Sequence, residues 1–146
     1  MPNRIPMGAS EHEQRDRPHI FVVNGAPDFL NLMRELLQDE HYNVTTTNFV
    51  PATFAQIDTA APDVLIVDLA VGQRAGWDLL EALHADAATA GIPVITVSTD
   101  QRHLARAEEL AARYGVTALL EKPFDLDDML ALVAAALTPG RATPAR

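Results

Sequence analysis

Five short apolar runs alternate with five stretches of helical periodicity, and that alternation leaves few folds open to the chain. The runs fall at 19–23, 43–47, 63–68, 93–98 and 116–121, and most are rich in Val, Ile and Thr. β-Branched side chains favour extended backbone and pack well on a pleated surface. Val64-Leu65-Ile66-Val67 and Val94-Ile95-Thr96-Val97 are close to continuously apolar, the pattern of central strands covered on both faces. The run at 43–47 is Thr-rich, and an edge position is expected for it.

Between the runs, apolar residues recur at helical spacing. Pro27 opens a helix carrying Phe29, Leu30, Met33, Leu36 and Leu37. A weaker helix over 51–60 carries Phe54 and Ile57, and one over 76–88 carries Trp77, Leu79, Leu80 and Leu83. A helix over 100–114 ends at Gly115, and a last one starts after Asp125, a plausible N-cap, with Met129 and Val133 on its buried side. Five βα units in strict alternation predict an α/β domain: a doubly wound, five-stranded parallel sheet with five helices on its two faces. Function in such a sheet gathers at the carboxyl ends of the strands.

The chain has 146 residues, 48% hydrophobic and 21% charged, enough for one domain with a real core. That domain is expected over 19–137, between flexible tails at 1–18 and 138–146. A net charge of −9 opposes non-specific binding to nucleic acid or to an anionic membrane. The absence of cysteine removes thiolate catalysis, disulfides and Cys-based zinc sites. No signal peptide is visible, and the longest apolar run, at 129–137, is too short to span a bilayer, so a soluble, cytoplasmic protein is expected.

Lys122 is the only lysine; the other ten basic residues are Arg. A chain that otherwise uses guanidinium for its cations has kept one compact, extendable ammonium, and it stands where the fifth run ends. The third run ends on Asp68 and the fourth on Ser98. A carboxylate, a hydroxyl and a lone ammonium at three strand ends suggest one shared site with phosphate chemistry. Neither G-x-G-x-x-G nor G-x-x-x-x-G-K-[ST] occurs, so dinucleotide and P-loop chemistry are not indicated. Trp77 reads as packing, and His19, His84 and His103 lack companions at catalytic or metal spacing.

In this order and spacing, four segments resemble a response-regulator receiver domain of two-component signalling, a flavodoxin-like fold, which implies the strand order 2-1-3-4-5. They are Ile20-Phe21-Val22-Val23 with Pro27, Pro62 to Asp68, Pro93 to Ser98, and Gly115 with Lys122-Pro123-Phe124. The resemblance implies Asp68 as phosphoacceptor, Ser98 and Lys122 as phosphate-binding residues, and Leu119 at the switch position, where the family places Tyr or Phe. It also implies a Mg²⁺ site from two acidic residues after the first strand, the phosphoacceptor and the backbone carbonyl of Ala70.

Here the acidic pair is replaced by Asn24 and Gly25. Mg²⁺ gives up water reluctantly and usually needs carboxylates, so the set Asn24, Gly25, Asp68 and Ala70 is degenerate, and no tight metal binding is expected. The loop after Asp68 also departs from the family pattern. The expectation is therefore a stand-alone, atypical receiver that is not an enzyme and requires no cofactor. Its Mg²⁺-dependent phosphorylation at Asp68 would be weak or absent, and its output would be protein–protein binding. A sensor histidine kinase or another signalling protein is the implied partner, with a homodimer through the 100–137 face, and with no nucleic acid or membrane partner. Two alternatives remain open: a conventional phosphorylated switch on Asp68 and, last, a flavodoxin-like small-molecule enzyme or binder.

Overall fold

Strand β1 (His19–Val23) pairs in parallel with β2 (Asn43–Thr47) on one side and β3 (Val64–Asp68) on the other. Strands β4 (Val94–Ser98) and β5 (Val116–Glu121) extend the sheet, giving the order β2-β1-β3-β4-β5 with every pair parallel. This is the order expected from the sequence. The computed structural model describes residues 17–48, 53–69, 75–98, 109, 116–121 and 124–138. Within them lie helices α1 (Pro27–Asp39), α2 (Thr53–Ala60), α3 (Ala75–Ala85) and α4 (Leu126–Ala136). The helix expected over 100–114 falls outside the described residues, except for Glu109, which is helical and exposed.

Side chains alternate across each strand, so the two faces of the sheet collect separate cores. Phe21, Val23, Leu65 and Val67 pack with Ile57 of α2 and with Leu79, Leu80 and Leu83 of α3. Ile20, Val22, Val64 and Ile66 pack on the other face with Met33 and Leu37 of α1 and Met129 and Val133 of α4. All five residues of β3 and of β4 are buried, as their unbroken apolar runs require. Each large aliphatic side chain so covered contributes about 1.5–3 kcal/mol relative to exposure. The Thr-rich strand β2 does lie at the edge, and the Arg34 guanidinium of α1 donates to Thr46 Oγ1 there.

One helix end differs from the sequence expectation. Helix α3 stops at Ala85, short of residue 88. Asp86 Oδ1 accepts the Ala88 N–H at 2.8 Å, and buried Thr89 donates its hydroxyl to the Leu83 carbonyl at 2.6 Å. These local bonds replace the next helical turn. Asp125 does occupy the N-cap position of α4, with extended backbone, but its side chain makes no capping bond.

Strand β5 carries an irregularity. Val94 pairs with Val116, but Ile95 pairs with Ala118, so Thr117 is an extra residue; its Oγ1 accepts the Val94 N–H at 3.2 Å. Val116 and Leu119, three residues apart, consequently both pack on the first core.

Candidate functional site

The carboxyl ends of β1, β3 and β4 lie side by side. Val23 is paired with Val67, and Asp68 with Val97, so Asn24, Asp68 and Ser98 terminate three neighbouring strands. All three are buried: Asn24 is 1% exposed, Asp68 8% and Ser98 0%. By alternation, Asn24 continues the row of Ile20 and Val22, and Asp68 that of Val64 and Ile66, both on the α1/α4 face. Ser98 continues the row of Val94 and Thr96 on the other face. What the three share is the sheet edge. Lys122 and Ala70, expected at the same edge, lie outside the described residues.

Asp68 is held from the α3 side by a close backbone approach. A Cβ built on Gly76 would lie 2.5 Å from the Asp68 carbonyl oxygen and 2.9 Å from Leu69 Cδ2, so only glycine lets the first turn of α3 sit there. The sequence shows a Gly at a helix start, but nothing in it says what that glycine touches.

Asn24 has a definite orientation. Its Oδ1 accepts the Ala26 N–H at 2.8 Å, and its Nδ2 is buried with no hydrogen-bond partner. Exchanging the two amide atoms would set a donor against a donor, so the N–H of Ala26 fixes the assignment. The one side-chain oxygen at this position is therefore engaged, and the group left over is a hydrogen-bond donor. Leaving such a donor unsatisfied costs about 1–3 kcal/mol. Gly25 has no side chain to offer and is exposed. A donor N–H₂, a glycine and a single carboxylate do not fit Mg²⁺, which takes oxygen ligands. Among the described residues, no group of three or more His, Cys, Asp or Glu is arranged to hold a metal ion.

Leu119 is half-buried against the first core and pairs with Thr96 of β4. Thr96 is fully buried, and its Oγ1 has no partner; Leu119 presents no polar atom to satisfy it. On the α1 side of the edge, Phe29 and Phe124 meet edge to face, with ring centroids 6.3 Å apart. The pair ties the start of α1 to the connection between β5 and α4.

A wider concavity lies elsewhere. A groove of about 770 Å³ at the amino edge of the sheet is lined by Arg17, His19, Tyr42, Thr45 and Asp63, among others. Its polar groups serve one another: the His19 backbone N–H donates to Asp63 Oδ2 at 2.8 Å, and His19 Nε2 shares a 2.7 Å hydrogen bond with Thr45 Oγ1. Burial lowers the His19 imidazole pKa below its ordinary value, partly opposed by the charge of Asp63. This groove is a structural clasp at the end of the sheet away from the strand termini where ligands are taken up.

The family model for the response regulator receiver domain matches residues 20–134. The chain belongs to that family. The receiver domain is 30% identical over 118 residues to the transcriptional regulatory protein KdpE of Mycobacterium tuberculosis, a match covering 81% of this chain and 50% of KdpE. It is 24% identical to the heme response regulator HssR of Staphylococcus saprophyticus, over 80% of this chain and 50% of that protein. The chain thus spans about half the length of these curated relatives. Among solved structures, the Vibrio cholerae chemotaxis protein CheY4 superposes with a TM-score of 0.73 at 20% identity, covering 83% of this chain and 99% of that one. A sensor protein from Polaromonas sp. JS666 gives 0.72 at 23%, covering 83% and 96%. These structural likenesses bear on the receiver's fold. No described helix of the receiver is long and apolar enough to cross a membrane.

Proposed function

We propose that this receiver domain of two-component signalling works without tight Mg²⁺ binding, with phosphoryl transfer to Asp68 weak or absent, and passes its signal on by binding another protein. The observation that carries this reading is Asn24: its side-chain oxygen is spent on Ala26, and what it has left is a buried donor without a partner. In a site with three carboxylates, a divalent cation relieves their mutual repulsion. Here Asp68 is the only carboxylate among Asn24, Gly25 and Asp68, so a cation has little strain to release. The protein is a binding module, not an enzyme. Its partner is a sensor histidine kinase or another signalling protein, and it self-associates through the 100–137 face. Its strong negative charge disfavours nucleic acid and anionic membrane.

A ligand stabilises a fold by RT ln(1 + [L]/Kd), so Mg²⁺ far below its Kd adds almost nothing. Thermal melting should show no rise in Tm at millimolar Mg²⁺, and a small phosphodonor should label Asp68 slowly or not at all. Replacing Asn24→Asp and Gly25→Asp together should restore a Mg²⁺-dependent rise. Rapid Mg²⁺-dependent labelling of Asp68 in the unaltered chain would instead establish the second reading, a conventional switch. That reading is favoured by the placement of Asp68 and Ser98 at adjacent strand ends.

A further inference from the structure

We propose that Asn24 is a deamidation site, at which the chain slowly converts its own amide into a carboxylate at the edge of the Asp68 site. Four observations meet here. Asn24 is followed by Gly25, whose lack of a side chain gives the least hindrance to attack by its backbone nitrogen. That nitrogen is available: Gly25 is exposed, and among the described residues nothing accepts its N–H. The electrophile is prepared, because the Ala26 N–H bonded to Asn24 Oδ1 folds the side chain back over the Asn24–Gly25 peptide and polarises the amide carbonyl. The leaving group is unheld, since Nδ2 has no acceptor. An ordinary buried amide would be retained by bonds at both ends; this one is anchored only through the atom whose polarisation promotes attack.

The reaction needs only water. The Gly25 nitrogen attacks Asn24 Cγ, a new N–Cγ bond forms, the Cγ–Nδ2 bond breaks, and Nδ2 departs as ammonia with the proton given up by the Gly25 nitrogen. Water then opens the cyclic imide, its hydroxyl going to a carbonyl carbon and its proton to the nitrogen. Opening at Cγ regenerates the peptide bond and leaves aspartate. Opening at the backbone carbonyl leaves isoaspartate, with an extra methylene in the main chain between β1 and α1. The aspartate product adds a second carboxylate at the edge where Asp68 stands. The consequence for metal response rests on the proposed function above; the modification itself does not.

The test is to hold the purified, folded chain in mildly alkaline buffer and follow the Asn24 peptide by mass, together with released ammonia and isoaspartate content. Conversion of Asn24 is expected, and it should be severalfold slower in Gly25→Ala. That variant should fold, because a Cβ at Gly25 meets nothing within 4 Å and the residue is not in the left-handed region. The aspartate fraction should co-elute with Asn24→Asp on ion exchange. Two results would overturn the proposal: an equal rate in Gly25→Ala, or conversion seen only when the chain is unfolded in urea. Mg²⁺ melts on fresh and aged protein separate the two claims. A response already present in fresh protein counts against the proposed function and leaves the mass result standing.

Discussion

At the scale of single residues, two positions invite a test, one beside Asp68 and one at the opposite end of the sheet. Gly76 is one. Gly76→Ala would press a methyl group against the Asp68 carbonyl and Leu69, and overpacking of this kind costs about 1–3 kcal/mol. Urea unfolding should show that loss, and unchanged stability would mean that α3 moves away freely. His19 is the other. Its pKa is lower in the folded chain than its ordinary 6.5, so the unfolded chain binds more protons as pH falls through that value. Stability from this residue is present above about 6.5 and is lost as pH falls toward the folded pKa. Melting curves between neutral and mildly acidic pH should slope down accordingly, and His19→Gln should flatten that component.

The residues also show where sequence reading stops. Asp68 and Ser98 were legible because a buried apolar run that ends on a polar residue marks a strand terminus. The orientation of Asn24, the approach at Gly76 and the orphan hydroxyl of Thr96 were not. Each depends on which atoms a tertiary neighbour supplies, and composition is blind to that. The bonds of His19 to Thr45 and Asp63 cross between strands 26 and 44 residues away, with no local pattern to announce them.

At the scale of elements, β-branched runs and helical spacing were enough to find all five strands and the four described helices. Strand order was implied by the family resemblance, because right-handed crossovers alone leave several orders open. Helix ends were less legible, since Asp86 and Thr89 compete with the helix by bonds that only form once the turn closes. The contact of Phe29 with Phe124 joins two elements far apart in sequence. A double-mutant cycle with Phe29→Leu and Phe124→Leu should return a coupling of about 0.5–1.5 kcal/mol, the usual range for edge-to-face pairs. A coupling near zero would mean that the rings merely share a neighbourhood.

For the whole molecule, the issue is which surface carries the output. Ala135 is exposed on α4, within the proposed 100–137 face. Ala135→Glu should weaken self-association by roughly tenfold, about 1.4 kcal/mol, in sedimentation equilibrium. An unchanged association constant would move the interface to another face. The acidic net charge gives this surface a salt dependence as well: self-association should strengthen as ionic strength screens like charge.

Thr117 gives the far edge of the sheet a counting rule. Because one residue is looped out between Val116 and Ala118, Leu119 comes into phase with Val116 and Leu120 turns to the opposite core. Substitution along this strand changes what a position is; loss of one residue would change where every later position points. Leu120 would exchange places with Leu119, and the chain would leave the strand one step early. The side chain at position 119 is thus open to revision, while its address is protected by a residue that takes no part in either core.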